Sequence, residues 1–167
     1  MSAIDGLIIE LDQEAKTTRR LLDRVPEERL TWKPHEKSLS LGQLALHVAS
    51  IPGNVGNMVM AEGFDVKTRK MDYAMPSSKV QILDALEASV SNAKKILSGL
   101  TQEAAMAPWK LTAGDREVFT IPRIGVVRNI MLNHSYHHRG QLTVYLRLLN
   151  VPLPVTYGRS ADESPFG

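Results

Sequence analysis

The chain has 167 residues, a formal net charge of +2 from 20 basic and 18 acidic side chains, and 43% hydrophobic residues. A chain of this length buries roughly 70% of the surface that its unfolded form exposes, so we expect a single domain over residues 1–167. Cysteine is absent, which excludes disulfides, thiolate metal sites and a cysteine nucleophile.

The charge balance and the hydropathy pattern also restrict the partners. A net charge this small gives no indication of nucleic-acid or membrane-surface binding. The first residues lack the basic segment of a signal peptide, and no run approaches the roughly 20 apolar residues that span a bilayer. We therefore expect a soluble, cytoplasmic protein with no nucleic-acid and no membrane partner.

Two helices are predicted in the first part of the chain. Apolar residues recur at helical spacing over residues 3–24, and Pro26 ends this first helix. Ser40 followed by Gln43 is a capping-box pattern, which opens a second helix. Pro52 lies inside the second helix and should kink or divide it.

Two more helices are predicted further along, separated by irregular segments. Residues 62–77 have a loop composition, and Ser78 then begins a third helix that ends near Leu100. Residues 101–120 are expected to be irregular apart from one short helical turn. A fourth helix is predicted from about Pro122 to Asn150.

The remaining residues after Asn150 are rich in proline and glycine and are expected to form an irregular C-terminal tail. Four long amphipathic helices without convincing strands are typical of an all-α four-helix bundle. We thus predict this fold class, with a kinked second helix.

Two histidines lie in the middle of the apolar stripe of the fourth helix. At about 100° per residue, His138 is about 40° from His134, and His137 is about 60° away on the other side. An i, i+4 pair has its Cβ atoms roughly 5–6 Å apart, so both imidazoles could bind one metal ion. Arg139 lies near the opposite face, about 140° from His134.

A third histidine, His47, points inward from the second helix, since Leu44 and Ile51 flank it at helical spacing. Three imidazoles from two helices would leave positions open on a bound metal, as in sites that perform chemistry. A metal-bound water is acidic enough to supply a nucleophile. A small external thiol could serve the same purpose in a chain without cysteine.

A purely structural interpretation of the same histidines also stands. A single histidine on an apolar face is more often a core residue with a satisfied hydrogen bond, and two histidines four apart occur in many helices by chance. The metal interpretation is favoured by the pair of adjacent imidazoles, because a shared cation would compensate their burial.

Several polar residues are weaker candidates. Gln141 faces the same interior and could orient a ligand, although a bond to a neighbouring helix is the expected role. Asn133 and Arg139 could bridge to another helix or to the tail, although a solvated position or a dimer contact is the expected role.

His35 is expected at the surface. Tyr145 and Tyr157 could contribute a hydroxyl near the site, and core packing is the expected role for Tyr145. Glu10 and Asp12 could be outer partners of the site, although surface positions are expected for both.

The block 133–142, with the sequence NHSYHHRGQL, resembles the HxxxHRGQL signature of the DinB-like metal-binding family. Residues 38–49 resemble the region of the family's first metal ligand, and residues 157–162 resemble its closing segment. The resemblance implies a four-helix bundle with a divalent metal held by His47, His134 and His138. It also implies a homodimer, and a superfamily that includes thiol-dependent S-transferases and a mycothiol-dependent isomerase.

Two functions follow from these observations. The leading hypothesis is a metalloenzyme, a hydrolase or a thiol S-transferase, whose metal activates water or a small thiol for attack on a small electrophilic substrate. Imidazole ligands suit zinc or nickel, and also iron, manganese or copper. The alternative is a non-catalytic, metal-stabilised dimeric protein that acts in stress or through a partner.

Overall fold

The protein is built mainly from four long helical stretches, seen in a computed structural model that describes residues 2–68 and 73–166. The first three are α1 (Ala3–Leu22), α2 (Leu41–Met60) and α3 (Lys79–Ser98). The fourth, over residues 123–148, consists of α5 (Arg123–Val126), a π-helical segment (Val127–Leu132) and α6 (Asn133–Leu148). A short helix, α4 (Gln102–Met106), precedes it.

The predicted caps fix the starts of the second and third helices. At Ser40 the side chain accepts a hydrogen bond from the Gln43 amide and Gln43 bonds back, which completes the predicted capping box. The Ser78 side chain likewise accepts a hydrogen bond from the Gln81 amide at the start of α3. The capping box is incomplete there, because the Gln81 side chain accepts from Ser77 instead. Pro122 is the N-cap of α5.

Helix α2 runs undivided through Pro52, where a kink or a break was expected. The amide of the next residue, Gly53, donates to the buried Ser89 hydroxyl of α3 at 2.7 Å. A Cβ atom at Gly53 would lie 3.0 Å from Cα of Ser89, so glycine allows the two helices to approach closely. The hydroxyl of α3 thereby satisfies a helix amide next to the proline, where the regular bonding is interrupted.

The prediction of an all-α fold is wrong in one region, because the described residues include a three-stranded sheet. Its strands are β1 (Gly63–Asp65), β2 (Pro108–Ala113) and β3 (Arg116–Pro122), in the order β1-β2-β3. Strands β1 and β2 are parallel, and β2 and β3 form an antiparallel hairpin.

The hairpin has a simple cause in the sequence. Trp109 pairs with Ile121 and Leu111 pairs with Phe119, so apolar side chains alternate with polar ones as in a half-buried strand. Gly114 makes the turn with a φ of +64°, a conformation that glycine adopts without strain. The expected irregular segment 101–120 is therefore α4 followed by most of the hairpin.

The predicted loop 62–77 also contains structure. Strand β1 begins at Gly63, where a Cβ would lie 2.3 Å from the carbonyl oxygen of Lys110. A 3-10 turn follows at Val66–Thr68, while residues 69–72 of this segment lie outside the described residues. After α6, residues 149–166 contain neither helix nor strand, as predicted for the tail.

The buried side chains form two clusters that meet along α2 and the fourth helical stretch. One cluster includes Ile51 on α2 and Met131 of the π-helical segment, together with Trp109 of the hairpin. The other includes Val48 of α2 and Leu142 of α6.

Neither α2 nor any other helix within 2–68 and 73–166 has the length and apolar content needed to cross a bilayer.

Candidate metal centre

The three histidines singled out from the sequence lie together between α2 and α6. The Nε2 atom of His134 is 3.3 Å from Nε2 of His47 and 3.1 Å from Nε2 of His138. One ring nitrogen from each residue lies within 4.8 Å of the other two, and all three side chains are half-buried. The histidine cluster is thus a site that could hold a metal ion.

The folding of the two helices explains this convergence. His134 and His138 are four residues apart on α6 and share one face. His47 lies on α2 between Leu44, which belongs to one core cluster, and Ile51, which belongs to the other. The histidine cluster therefore lies where the two core clusters meet, and the packing on either side fixes both helices around it.

Gln141 determines which ring nitrogen of His138 faces the cluster. Its amide oxygen lies 2.7 Å from Nδ1 of His138. An amide oxygen only accepts hydrogen bonds, so Nδ1 carries the proton and Nε2 keeps its lone pair. Burial lowers the pKa of His138, opposed by the hydrogen bond with Gln141 and assisted by the neighbouring His137.

The spacing of the ring nitrogens fits a divalent metal. Zinc–nitrogen bonds of about 2.0–2.1 Å in a tetrahedral site place two nitrogens about 3.3–3.4 Å apart. The observed separations of 3.1 Å and 3.3 Å are close to this value. Three neutral imidazoles supply three ligands, which leaves room for a small molecule on the metal.

Two further aromatic rings lie against the histidine cluster. The ring of Tyr73 lies edge-on to His47 with 5.3 Å between centroids, and the exposed ring of His137 lies 4.8 Å from that of His138. Sequence reasoning missed Tyr73, because it lies in a segment without periodicity. His137 was placed correctly at the shoulder of the stripe.

The expectation that Gln141 bonds a neighbouring helix is wrong, since its partner is His138 on its own helix. The helical geometry had placed Gln141 on the correct face. It could not distinguish a partner three residues away from one on another helix.

The expectation that Arg139 is solvated or contacts a second subunit is also wrong, and the alternative, a bridge to another helix and to the tail, is the one observed. Its side chain is only 4% exposed and its Nη2 lies 2.6 Å from Oε2 of Glu14 on α1. The same guanidinium donates to Thr18 and to the Tyr157 hydroxyl, and it lies over the Tyr136 ring at 5.2 Å. Helix α1 and the tail cover this side of α6, which turns an apparently outer face into an inner one.

The other candidate residues bond elsewhere. The Tyr145 hydroxyl donates to the carbonyl oxygen of Leu39. Glu10 accepts from Tyr136 and pairs with Arg128, and Asp12 pairs with Lys94. His35 is exposed in its loop, as predicted.

A helical bundle with three histidines from two helices converging in its interior defines a class of candidate metal proteins. The model of the DinB family matches residues 6–165, which is nearly the whole described chain. The protein belongs to the DinB family.

Similar proteins agree with this assignment. Uncharacterized protein YrdA of Bacillus subtilis (strain 168) is 26% identical over 168 residues, which cover 98% of this chain and 94% of YrdA. A DinB-like protein of Bacillus cereus ATCC 10987 superimposes with a TM-score of 0.71 at 22% identity, covering 92% of this chain and 97% of the other. YfiT of Bacillus subtilis, described as a probable metal-dependent hydrolase with an unusual four-helix bundle topology, gives a TM-score of 0.65 at 15% identity, covering 90% and 91%.

Proposed function

We propose that this protein is a metal-dependent enzyme in which His47, His134 and His138 hold one divalent metal, zinc or nickel. The observation that carries the proposal is the convergence of three Nε2 atoms at 3.1 Å and 3.3 Å separations. The description of YfiT as a probable metal-dependent hydrolase supports it.

Each protein group has a defined part in this function. The three imidazoles hold the metal, and Gln141 keeps the proton of His138 on Nδ1, so that Nε2 remains a ligand. The histidines lie where the two core clusters meet, so apolar side chains flank them on both sides along α2. A divalent metal in such a site acts as a Lewis acid and activates water or a small thiol as a nucleophile near neutral pH.

The reaction that we propose is attack of water or of a small external thiol on a small electrophilic substrate. The protein has no cysteine, so a thiol nucleophile has to come from a second molecule. The tight surroundings of the histidines support a small substrate.

The test of the metal site is the metal content of untagged protein, measured by mass spectrometry after incubation with zinc or nickel and removal of the excess. We expect about one metal per chain in the parent and almost none in His134→Ala or His138→Ala. His137→Ala is the matched control, because it removes an exposed imidazole adjacent to His138, and it should keep the parent stoichiometry. Full occupancy in His134→Ala would disprove the assignment.

A second measurement separates a reactive metal from a purely structural one. Cobalt-substituted protein is titrated with a small thiol, and its visible absorption is followed. A spectral change at millimolar thiol is expected for a metal with an open position. A spectrum that stays constant would contradict the transferase reaction and favour a metal that only stabilises the fold.

A further inference from the structure

A small pocket lies directly beside two of the three histidines. Its volume is about 40 Å³, and His47 and His134 form one of its walls. It extends from the histidine cluster along α2 toward the end that carries the hairpin. Any group bound in this pocket therefore lies next to the ring nitrogens that we propose as metal ligands.

The rest of the wall is almost entirely apolar. Four side chains line it, namely Ile51, Val55, Met58 and Ile130. Ile51 is 2% exposed and Val55 is 4% exposed, so they form the buried side of the pocket. Met58 and Ile130 are half-buried, and the exposed Asn54 lies at the rim.

The size of the pocket limits what it can hold. A water-sized group needs about 10–15 Å³ of cavity, so a pocket of about 40 Å³ has room for only a few non-hydrogen atoms. Apolar walls do not satisfy the hydrogen bonds of water. They favour hydrocarbon groups, because each buried methylene raises the binding affinity up to about fourfold.

We propose that this pocket binds a straight apolar arm of about three carbons on the substrate, with the reacting group at the histidines. The substrate class is thus a small electrophile with a short aliphatic chain, such as a short-chain acyl compound. This inference rests on the proposed metal function, because the metal would hold the other end of the substrate. Met58 and Ile130 are the half-buried residues of the lining, so their side chains determine how long a substrate arm the pocket accepts.

The test uses straight-chain hydroxamic acids as probes, because the hydroxamate head binds zinc and the chain length can be varied. Zinc-loaded protein is titrated with aceto-, propano-, butano-, hexano- and octanohydroxamate by calorimetry. Affinity should rise up to about fourfold per methylene to butanohydroxamate and fall for longer chains. Met58→Ala should move the optimum to hexanohydroxamate.

Met60→Ala is the matched control, because Met60 lies on the same helix and is 57% exposed. It should keep the parent optimum. If Met58→Ala does not fold, Ile130→Ala takes its place with the same expectation. Affinity that is independent of chain length, or that rises steadily to octanohydroxamate, would overturn the proposal, as would an optimum unchanged by enlarging the pocket.

The zinc stoichiometry, measured first on the same samples, separates the two hypotheses. Absence of bound zinc in the parent disproves the metal function and the substrate arm together. Bound zinc without the expected dependence on chain length disproves only the substrate arm.

Discussion

The amide oxygen of Gln141 lies 2.7 Å from Nδ1 of His138, one turn away on the same helix. This contact holds the imidazole in the form whose Nε2 faces His134 and His47. A residue outside the histidine cluster thus orients one of the three nitrogens that we propose as metal ligands.

Replacing Gln141 by leucine should weaken zinc binding about 10-fold, because the His138 ring loses the acceptor that fixes its proton and its orientation. The measurement is a competition titration with a chromophoric chelator. Gln141→Glu retains an oxygen acceptor and should bind zinc about as tightly as the parent. An unchanged affinity in Gln141→Leu would show that the contact has no part in metal binding.

Arg139→Met should lower the free energy of unfolding by about 3 kcal/mol, since it leaves the largely buried Glu14 carboxylate without its cationic partner. The change is measured by urea denaturation at pH 7. Arg19→Met is the control, because Arg19 pairs with Glu87 at the surface, with side chains 45% and 66% exposed. Its effect should stay below about 1 kcal/mol. Equal effects of the two variants would contradict a structural role for the buried pair.

Ser89→Ala should destabilise the protein by about 2 kcal/mol, because the Gly53 amide loses its buried acceptor next to Pro52. Denaturation midpoints give the comparison. Ser91→Ala provides the control on the exposed side of α3 and should be neutral. A neutral Ser89→Ala would mean that another group satisfies this amide.

The C-terminal tail should lose one of its contacts with α6 at low pH. A hydrogen bond from Arg147, followed by one from the Leu153 amide, lowers the pKa of Asp162 below its ordinary value of 3.8. A lowered pKa means that the stabilisation is present above pH 3.8 and is lost as the pH falls through the lower pKa of the folded state. The parent should therefore be more stable than Asp162→Asn at pH 6, and the difference should shrink progressively below pH 3.8.

Denaturation midpoints of both proteins from pH 6 to pH 2 provide this test. Asp115→Asn, at an exposed position in the hairpin turn, controls for the loss of one carboxylate. A difference between parent and Asp162→Asn that is constant across this range would contradict the assignment.

Local sequence signals were sufficient for the long helices and for the inward direction of the histidines. Ser40 with Gln43, and Ser78, mark helix starts because capping depends on residues three apart. The inward direction of His134 and His138 follows from the helical period, since residues 133–148 form a regular α-helix. The π-helical segment just before it has more residues per turn, so angles calculated at 100° per residue do not apply upstream of Asn133.

The hairpin was recognisable but was not predicted. Trp109 and Leu111 on one strand, and Phe119 and Ile121 on the other, alternate with polar residues around a glycine turn. This pattern is short, and it lies between two strongly helical segments.

The sequence by itself determined where the helices begin and which histidines point inward, because both depend on contacts within one or two turns. Only the tertiary structure decided that Arg139 is buried, since Glu14 and Tyr157 reach it from the first helix and the tail. The same holds for the pocket between Met58 on α2 and Ile130 on the π-helical segment. Such features depend on how distant elements pack against each other, and helical periodicity carries no information about that packing.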